Sequence, residues 1–167
     1  LNLEFVFIRG VPSREVLSVE NVYPYGEYKY EYLSTDSLLP ERHLILSKDA
    51  SAFSLKSTIS GHGHAGSYNC CEWDSKTHTY RINGREIFRW NVWKDCGNNP
   101  IYPQGGTWPF DRAGWCPGSK VDEYEFELTP LVSPGDTITL DYSIEPFSDN
   151  GEKEGTLRMS HQLFSYG

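Results

Sequence analysis

The sequence predicts an all-β fold, an antiparallel two-sheet sandwich of jelly-roll type, with residues 1–167 as a single domain. Three observations predict it. Apolar side chains recur at every second residue nearly throughout, the period of a strand with one buried face. Gly, Pro, Asn and Asp cluster between these runs, where turns need them. Aromatic residues supply 14% of the 167 residues, with 11 Tyr and 5 Trp against a single Met, a composition that suits strands. No stretch carries the period of a three-turn amphipathic helix.

Along the chain, residues 1–8 read as a first strand, because Leu3, Phe5 and Phe7 alternate with Asn2, Glu4 and Val6. Tyr28, Tyr30 and Tyr32 alternate with Glu27, Lys29 and Glu31 as one face of another strand. Asn83-Gly84 separates Thr77–Ile82 from residues 86–90. That dipeptide predicts a tight hairpin, since a type I′ turn needs positive φ at both central residues. His78 in this hairpin is expected to be packed and hydrogen-bonded. Tyr124, Phe126 and Leu128 alternate with glutamates, which form a solvated face. Ile138, Leu140, Tyr142 and Ile144 make the next strand, and Leu157, Met159, His161 and Leu163 share a face of the last. Residues 133–136 and 148–151 are the intervening turns. Residues 96–118 hold four of the ten prolines and five glycines, so they form no regular element. A long ordered loop in a compact domain usually carries function.

Fifteen Lys and Arg against 23 Asp and Glu leave a net charge of −8. That is the wrong sign for neutralising nucleic-acid phosphates or anionic lipid. No apolar run approaches the roughly 18–20 residues that cross a bilayer. Neither nucleic acid nor membrane is therefore an expected partner. The sequence starts without Met or a signal-like segment, and is expected to be a fragment or processed product of a longer protein.

Cys96 and Cys116 flank the Pro/Gly-rich loop, and a bridge between them would close about 20 residues, worth about 3 kcal/mol. Cys70 and Cys71 are adjacent, so an ordinary disulfide between them would be strained; each could be free, or one could pair elsewhere. Disulfide use favours a secreted context.

Four ordered blocks remain: TISGHGHA at residues 58–65, CCEWDSKTHT at 70–79, CGNNP at 96–100 and DRAGWCPG at 111–118. Together they resemble the C-terminal domain of the peptide-N-glycosidase F family, secreted bacterial glycoamidases that release N-linked glycans from asparagine. The resemblance covers essentially the whole chain. It implies a jelly roll that hydrolyses the glycan–asparagine amide without a cofactor, on N-linked glycans or glycopeptides, in a secreted or periplasmic bacterial setting. It also implies that Glu72 is the cleft carboxylate beside the scissile amide and first sugar, that Arg112 and Trp115 contact the chitobiose core, and that Trp73 and His64 lie near them. The family's water-activating Asp belongs to an N-terminal β domain that this sequence lacks, so a second domain is the expected partner. The resemblance keeps the Cys96–Cys116 pair, but Asp74 stands where the family has the partner of Cys70. His62 stands where it has Trp.

Two other readings are open. His62, His64 and Met159 resemble the copper-binding set of the jelly roll of peptidylglycine α-hydroxylating monooxygenase, since an HxH pair on an extended strand points both imidazoles one way and thioether with imidazole selects copper. A non-catalytic glycan-binding module is the third.

Overall fold

The computed structural model describes residues 3–35, 37–99, 101, 103–148 and 150–167, with the side chain of Glu152 left aside. The elements run β1 (Val16–Lys29), α1 (Tyr30–Leu33), β2 (Arg42–Ile45), β3 (Ala52–His62), β4 (His64–Ala65), β5 (Cys70–Cys71), β6 (Thr77–Ile82), β7 (Arg85–Asn91), β8 (Glu123–Glu127), β9 (Thr137–Ile144) and β10 (Thr156–Tyr166). Two four-stranded antiparallel sheets form, ordered β1-β10-β3-β8 and β2-β9-β6-β7, with β4 and β5 paired apart. With that small pair set aside, the order is that of a jelly roll.

This winding decides where the site can be. Apart from the β6–β7 hairpin, consecutive long strands cross between the sheets, so alternate connections gather at one end. Residues 63–76 (after β3) and 92–122 (after β7) share that end with α1 and the 3-10 turn Glu152–Glu154. The Tyr30 N–H donates to the Gly155 carbonyl at 2.9 Å, and the Ala113 N–H to the Glu72 carbonyl at 2.9 Å.

Between the sheets the period-two residues meet as the pattern requires. Phe53, Leu55, Ile59, Leu157, Met159 and Leu163 of one sheet face Tyr80, Ile138, Leu140 and Tyr142 of the other, all buried. Ring contacts span the layers: Tyr142 lies 4.5 Å from His161, and Trp90 4.6 Å from Phe126. Asn83 and Gly84 take positive φ in the predicted hairpin. No helix among the described residues is long and apolar enough to cross a membrane.

Two expectations fail. Residues 3–12 form no strand, and Leu3, Phe5, Phe7 and Ile8 are all at least three-quarters exposed; strand propensity builds a strand only where a neighbouring sheet edge accepts its hydrogen bonds. Leu1 and Asn2 lie outside the described residues. The tyrosine stripe also breaks. Tyr28 ends β1, but Tyr30 and Leu33 turn inward together at helical spacing in α1.

The core contains two buried histidines. His78 meets the Tyr142 hydroxyl at 2.6 Å, and His161 Nδ1 lies 3.1 Å from Ser57 Oγ and within reach of the Tyr80 hydroxyl. Burial pushes each imidazole down to about 3. Below the ordinary value near 6.5, the unfolded chain therefore binds protons that the folded chain refuses. Stability is expected to fall as pH drops through this window, by roughly 1.4 kcal/mol per pH unit for each histidine. Urea midpoints measured at about pH 7 and about pH 5 check this, and His78→Asn should flatten the slope.

Candidate functional site

Glu72 follows β5 directly and its side chain is only 13% exposed. A buried carboxylate needs partners, and two hold it. Arg112 Nε–H donates to Oε1 at 3.0 Å, and His64 Nε2 lies 3.4 Å from Oε2. The Trp73 indole N–H donates to His64 Nδ1 at 2.6 Å. Because an indole nitrogen only donates, Nδ1 is the accepting nitrogen of that ring, and the Nε2–H faces the carboxylate.

Arg112 is 2% exposed. Its remaining donors are engaged too: one terminal nitrogen donates to the Phe110 carbonyl at 2.9 Å, the other to the Thr107 carbonyl and hydroxyl at 2.9 and 3.0 Å. Its guanidinium lies over the rings of Trp73 at 4.2 Å and Trp115 at 5.1 Å, a favourable cation–π geometry. The Trp115 N–H donates to the Gly61 carbonyl at 2.9 Å, and its ring stacks on His62 at 5.3 Å. The loop is fixed by Lys94, which bridges Arg112 through both backbone groups. Gly114 is also required, since a Cβ there would meet the Ile59 carbonyl oxygen at 2.2 Å with φ at +78°. Cys96 and Cys116 are joined. Opening that bridge by Cys96→Ser/Cys116→Ser is expected to cost about 3 kcal/mol, read from urea unfolding with the β-sheet circular dichroism retained.

Two recesses flank this cluster. One, of about 370 Å³, is lined by His64, Asn69, Trp73, Thr107 and Phe110. The other, of about 290 Å³, lies on the outer face of the β3–β10 pair, with His62, Trp115, Tyr25, Arg158, Ser60 and Ser160 among its walls. Trp115, in contact with Arg112, links them. Phe110, Thr107, Asn69 and Tyr25 had no signal in the sequence beyond position: Phe110 immediately precedes the DRAGWCPG block.

The five residues Glu72, Arg112, Trp115, Trp73 and His64 thus form one contact cluster, although 51 positions separate His64 from Trp115. The set His62, His64 and Met159 does not converge. Gly63, at φ +104°, ends the extended strand between the histidines, so His62 bonds Ser60 Oγ at 2.9 Å while His64 turns to Trp73 and Glu72. Met159 pairs with Ile59 and Arg158 with Ser60 in the β3–β10 register. By strand alternation, Met159 therefore faces the core, and His62, in step with Ser60, faces outward. The Met159 sulfur instead meets His161 Nε2 at 3.3 Å.

The family model for "Peptide-N-glycosidase F, C terminal" matches residues 29–164. The peptide-N(4)-(N-acetyl-β-D-glucosaminyl)asparagine amidase F of Elizabethkingia miricola is 31% identical over 164 residues, spanning 90% of this chain and 45% of that protein. The solved structure of PNGase F, a glycosylasparaginase from Flavobacterium meningosepticum, superposes with a TM-score of 0.78 at 28% identity, over 96% of this chain and 55% of that one. PNGF-II shares the fold, with a TM-score of 0.67 at 19% identity over 90% of this chain and 30% of its own. The chain thus spans about half the length of the first two of these relatives and under a third of PNGF-II. With four-fifths of its residues inside the family model and the jelly roll in place, the chain belongs to the peptide-N-glycosidase F family, as a C-terminal domain of that kind.

Proposed function

We propose that this domain forms one wall of a cleft in which the amide between an N-linked glycan and asparagine is hydrolysed, with Glu72 as its catalytic residue. The observation that carries the reading is the Glu72 carboxylate, fixed on one oxygen by Arg112 and on the other by His64, which with Trp73 and Phe110 walls a recess. A carboxylate placed there can hydrogen-bond the substrate amide and stabilise the charge that develops as the glycosylamine departs, or assist the proton transfer.

The aromatic walls supply flat apolar faces for pyranose C–H surfaces, and they carry the proposed sugar contacts of Trp73, Trp115 and His64. Arg112 acts differently in this reading. With its N–H groups engaged inside the protein, it holds Glu72 and flattens the two tryptophans rather than reaching for sugar. Hydrolysis also needs a group that activates water. A second β domain facing this end of the sandwich supplies it, and no cofactor enters the reaction. Two disulfides fit a secreted or periplasmic protein.

The test is deglycosylation of a denatured glycopeptide by this domain joined to a second domain of the family. Release of the intact glycan, with aspartate left in place of asparagine, is the expected result. Glycan affinity without turnover would make the domain a binding module instead.

A further inference from the structure

Cys70 and Cys71 are bonded to each other, and both are fully buried. Three glycines make the space they occupy. A Cβ at Gly61 would lie 1.7 Å from the Cys71 carbonyl oxygen. One at Gly155 would lie 2.7 Å from the Cys71 sulfur and 2.9 Å from the Cys70 sulfur, and one at Gly63 would lie 3.4 Å from the Cys70 carbonyl oxygen. The pair is thus seated in a cradle that two segments, the end of β3 and the residue before β10, leave open for it.

What the cradle holds is the site. Cys71 pairs with His64 and Cys70 with Ala65 in the small sheet. The next residue is Glu72, whose N–H donates to the Gly63 carbonyl at 3.3 Å. Trp73 follows, its N–H donating to the Asn69 carbonyl. Asp74, at the position where the family resemblance places the other half of a disulfide, is tied by an ion pair to Lys76 at 2.7 Å. Among the described residues, β4 and β5 form a ladder only with each other. With so short a ladder, strand pairing contributes little here, and the buried, cradled disulfide is what fixes this segment.

We propose that the Cys70–Cys71 disulfide is the positioning element that holds Glu72, Trp73 and His64 in register, and that its reduction disarms the recess while the sandwich stays folded. The step is a thiol–disulfide exchange. A dithiol reductant gives up two electrons and two protons, the bond between the sulfurs breaks, Cys70 and Cys71 become thiols, and the reductant closes to its own cyclic disulfide. Cys71 thereby serves in this chain as the partner that Cys70 lacks at position 74. The activity consequence rests on the reading of Glu72 as catalytic; the structural consequence does not.

Three measurements decide it. Alkylation of the native, unreduced chain followed by mass spectrometry should label neither Cys70 nor Cys71, and their peptide should be two hydrogens lighter than its reduced form. Label on either one overturns the proposal. Hydrogen exchange of Cys70→Ser/Cys71→Ser, a variant that leaves Cys96–Cys116 intact, should be at least about tenfold faster over residues 63–74 and unchanged in β3, β6 and β10. Wild-type exchange rates around Glu72 overturn it. Should the double variant fail to fold, Cys71→Ser alone and the wild type treated with dithiothreitol carry the same measurement. In a glycopeptide-cleaving two-domain protein, the double variant should lose activity by roughly 100-fold. If the wild type cleaves nothing, the catalytic reading fails while labelling and exchange still decide the lock.

Discussion

Glu72→Gln is expected to reduce glycopeptide hydrolysis by about 10²–10⁴-fold, the range that a positioned acid–base or charge-stabilising group supplies. The amide keeps the shape of the carboxylate, and its oxygen can still accept from Arg112 Nε. Its NH2 meets the His64 Nε2–H donor against donor, so urea unfolding of the variant is measured beside its turnover. The amide loses the charge that a departing amine nitrogen needs beside it. Glu72→Asp separates the two contributions. The charge is retained but drawn back by one methylene from His64 and from the recess, and misplacement on that scale is expected to cost roughly 100-fold. Both variants should bind glycan near wild-type strength, because the aromatic walls are untouched. The measurement is release of glycan from a labelled glycopeptide, with kcat and KM resolved separately. A loss confined to KM would place Glu72 among uniform binding groups and end its catalytic assignment.

The second half of the sandwich was legible because its strands carry their own evidence, whereas β1 and β3 carry no plain alternation: β1 buries only the adjacent Val22 and Tyr23. In β9 and β10 alternation alone identifies the buried face, and Asn83-Gly84 identifies the hairpin between β6 and β7. The failures have a common origin. Residues 3–8 have strand chemistry but no sheet to join, and Tyr30 and Leu33 satisfy a helical spacing that three alternating tyrosines concealed. Both outcomes depend on neighbours remote in sequence. The site shows the same division. Motif resemblance pointed to Glu72, Arg112, Trp73, Trp115 and His64 as residues, yet the ion pair joining positions 72 and 112 exists only because the connections after β3 and β7 share one end of the jelly roll. The disulfide between Cys70 and Cys71 was hidden for a related reason. Adjacent cysteines pair only where the surroundings leave room, and that room comes chiefly from Gly61 at the end of β3 and Gly155 before β10, two segments remote in sequence.

The His62-Gly63-His64 triplet shows how a single backbone angle redirects chemistry. An HxH pair on uninterrupted strand would place two imidazoles side by side. Gly63 at φ +104° ends the strand between them, which gives each recess one histidine. His62 stacks on Trp115, and burial lowers its pKa below the ordinary imidazole value. His64 is spent on orienting Glu72. The same three residues of sequence therefore serve two neighbouring surfaces.

Arg112→Ala is expected to destabilise the domain by about 3–5 kcal/mol, the cost of breaking a buried ion pair by removing one partner. The guanidinium is 2% exposed and satisfies, at once, the Glu72 carboxylate and the carbonyls of Thr107 and Phe110. Truncation leaves a buried carboxylate with only His64 beside it, strands acceptors that water reaches poorly, and removes the flat cation between Trp73 and Trp115. Arg112→Lys does not repair this. An ammonium is a point donor, and it cannot reach three acceptors spread around a planar fork. Urea unfolding of the single domain reads the stability loss. Tryptophan emission reads the site separately, because Trp73 and Trp115 both lose the guanidinium that lies over their rings. If Arg112 instead contacts sugar and contributes little to the fold, Arg112→Lys will keep wild-type stability and lose only glycan affinity. If it holds Glu72, stability, tryptophan emission and turnover fall together, and Glu72→Gln/Arg112→Met, which removes both charges, recovers much of the stability and none of the turnover.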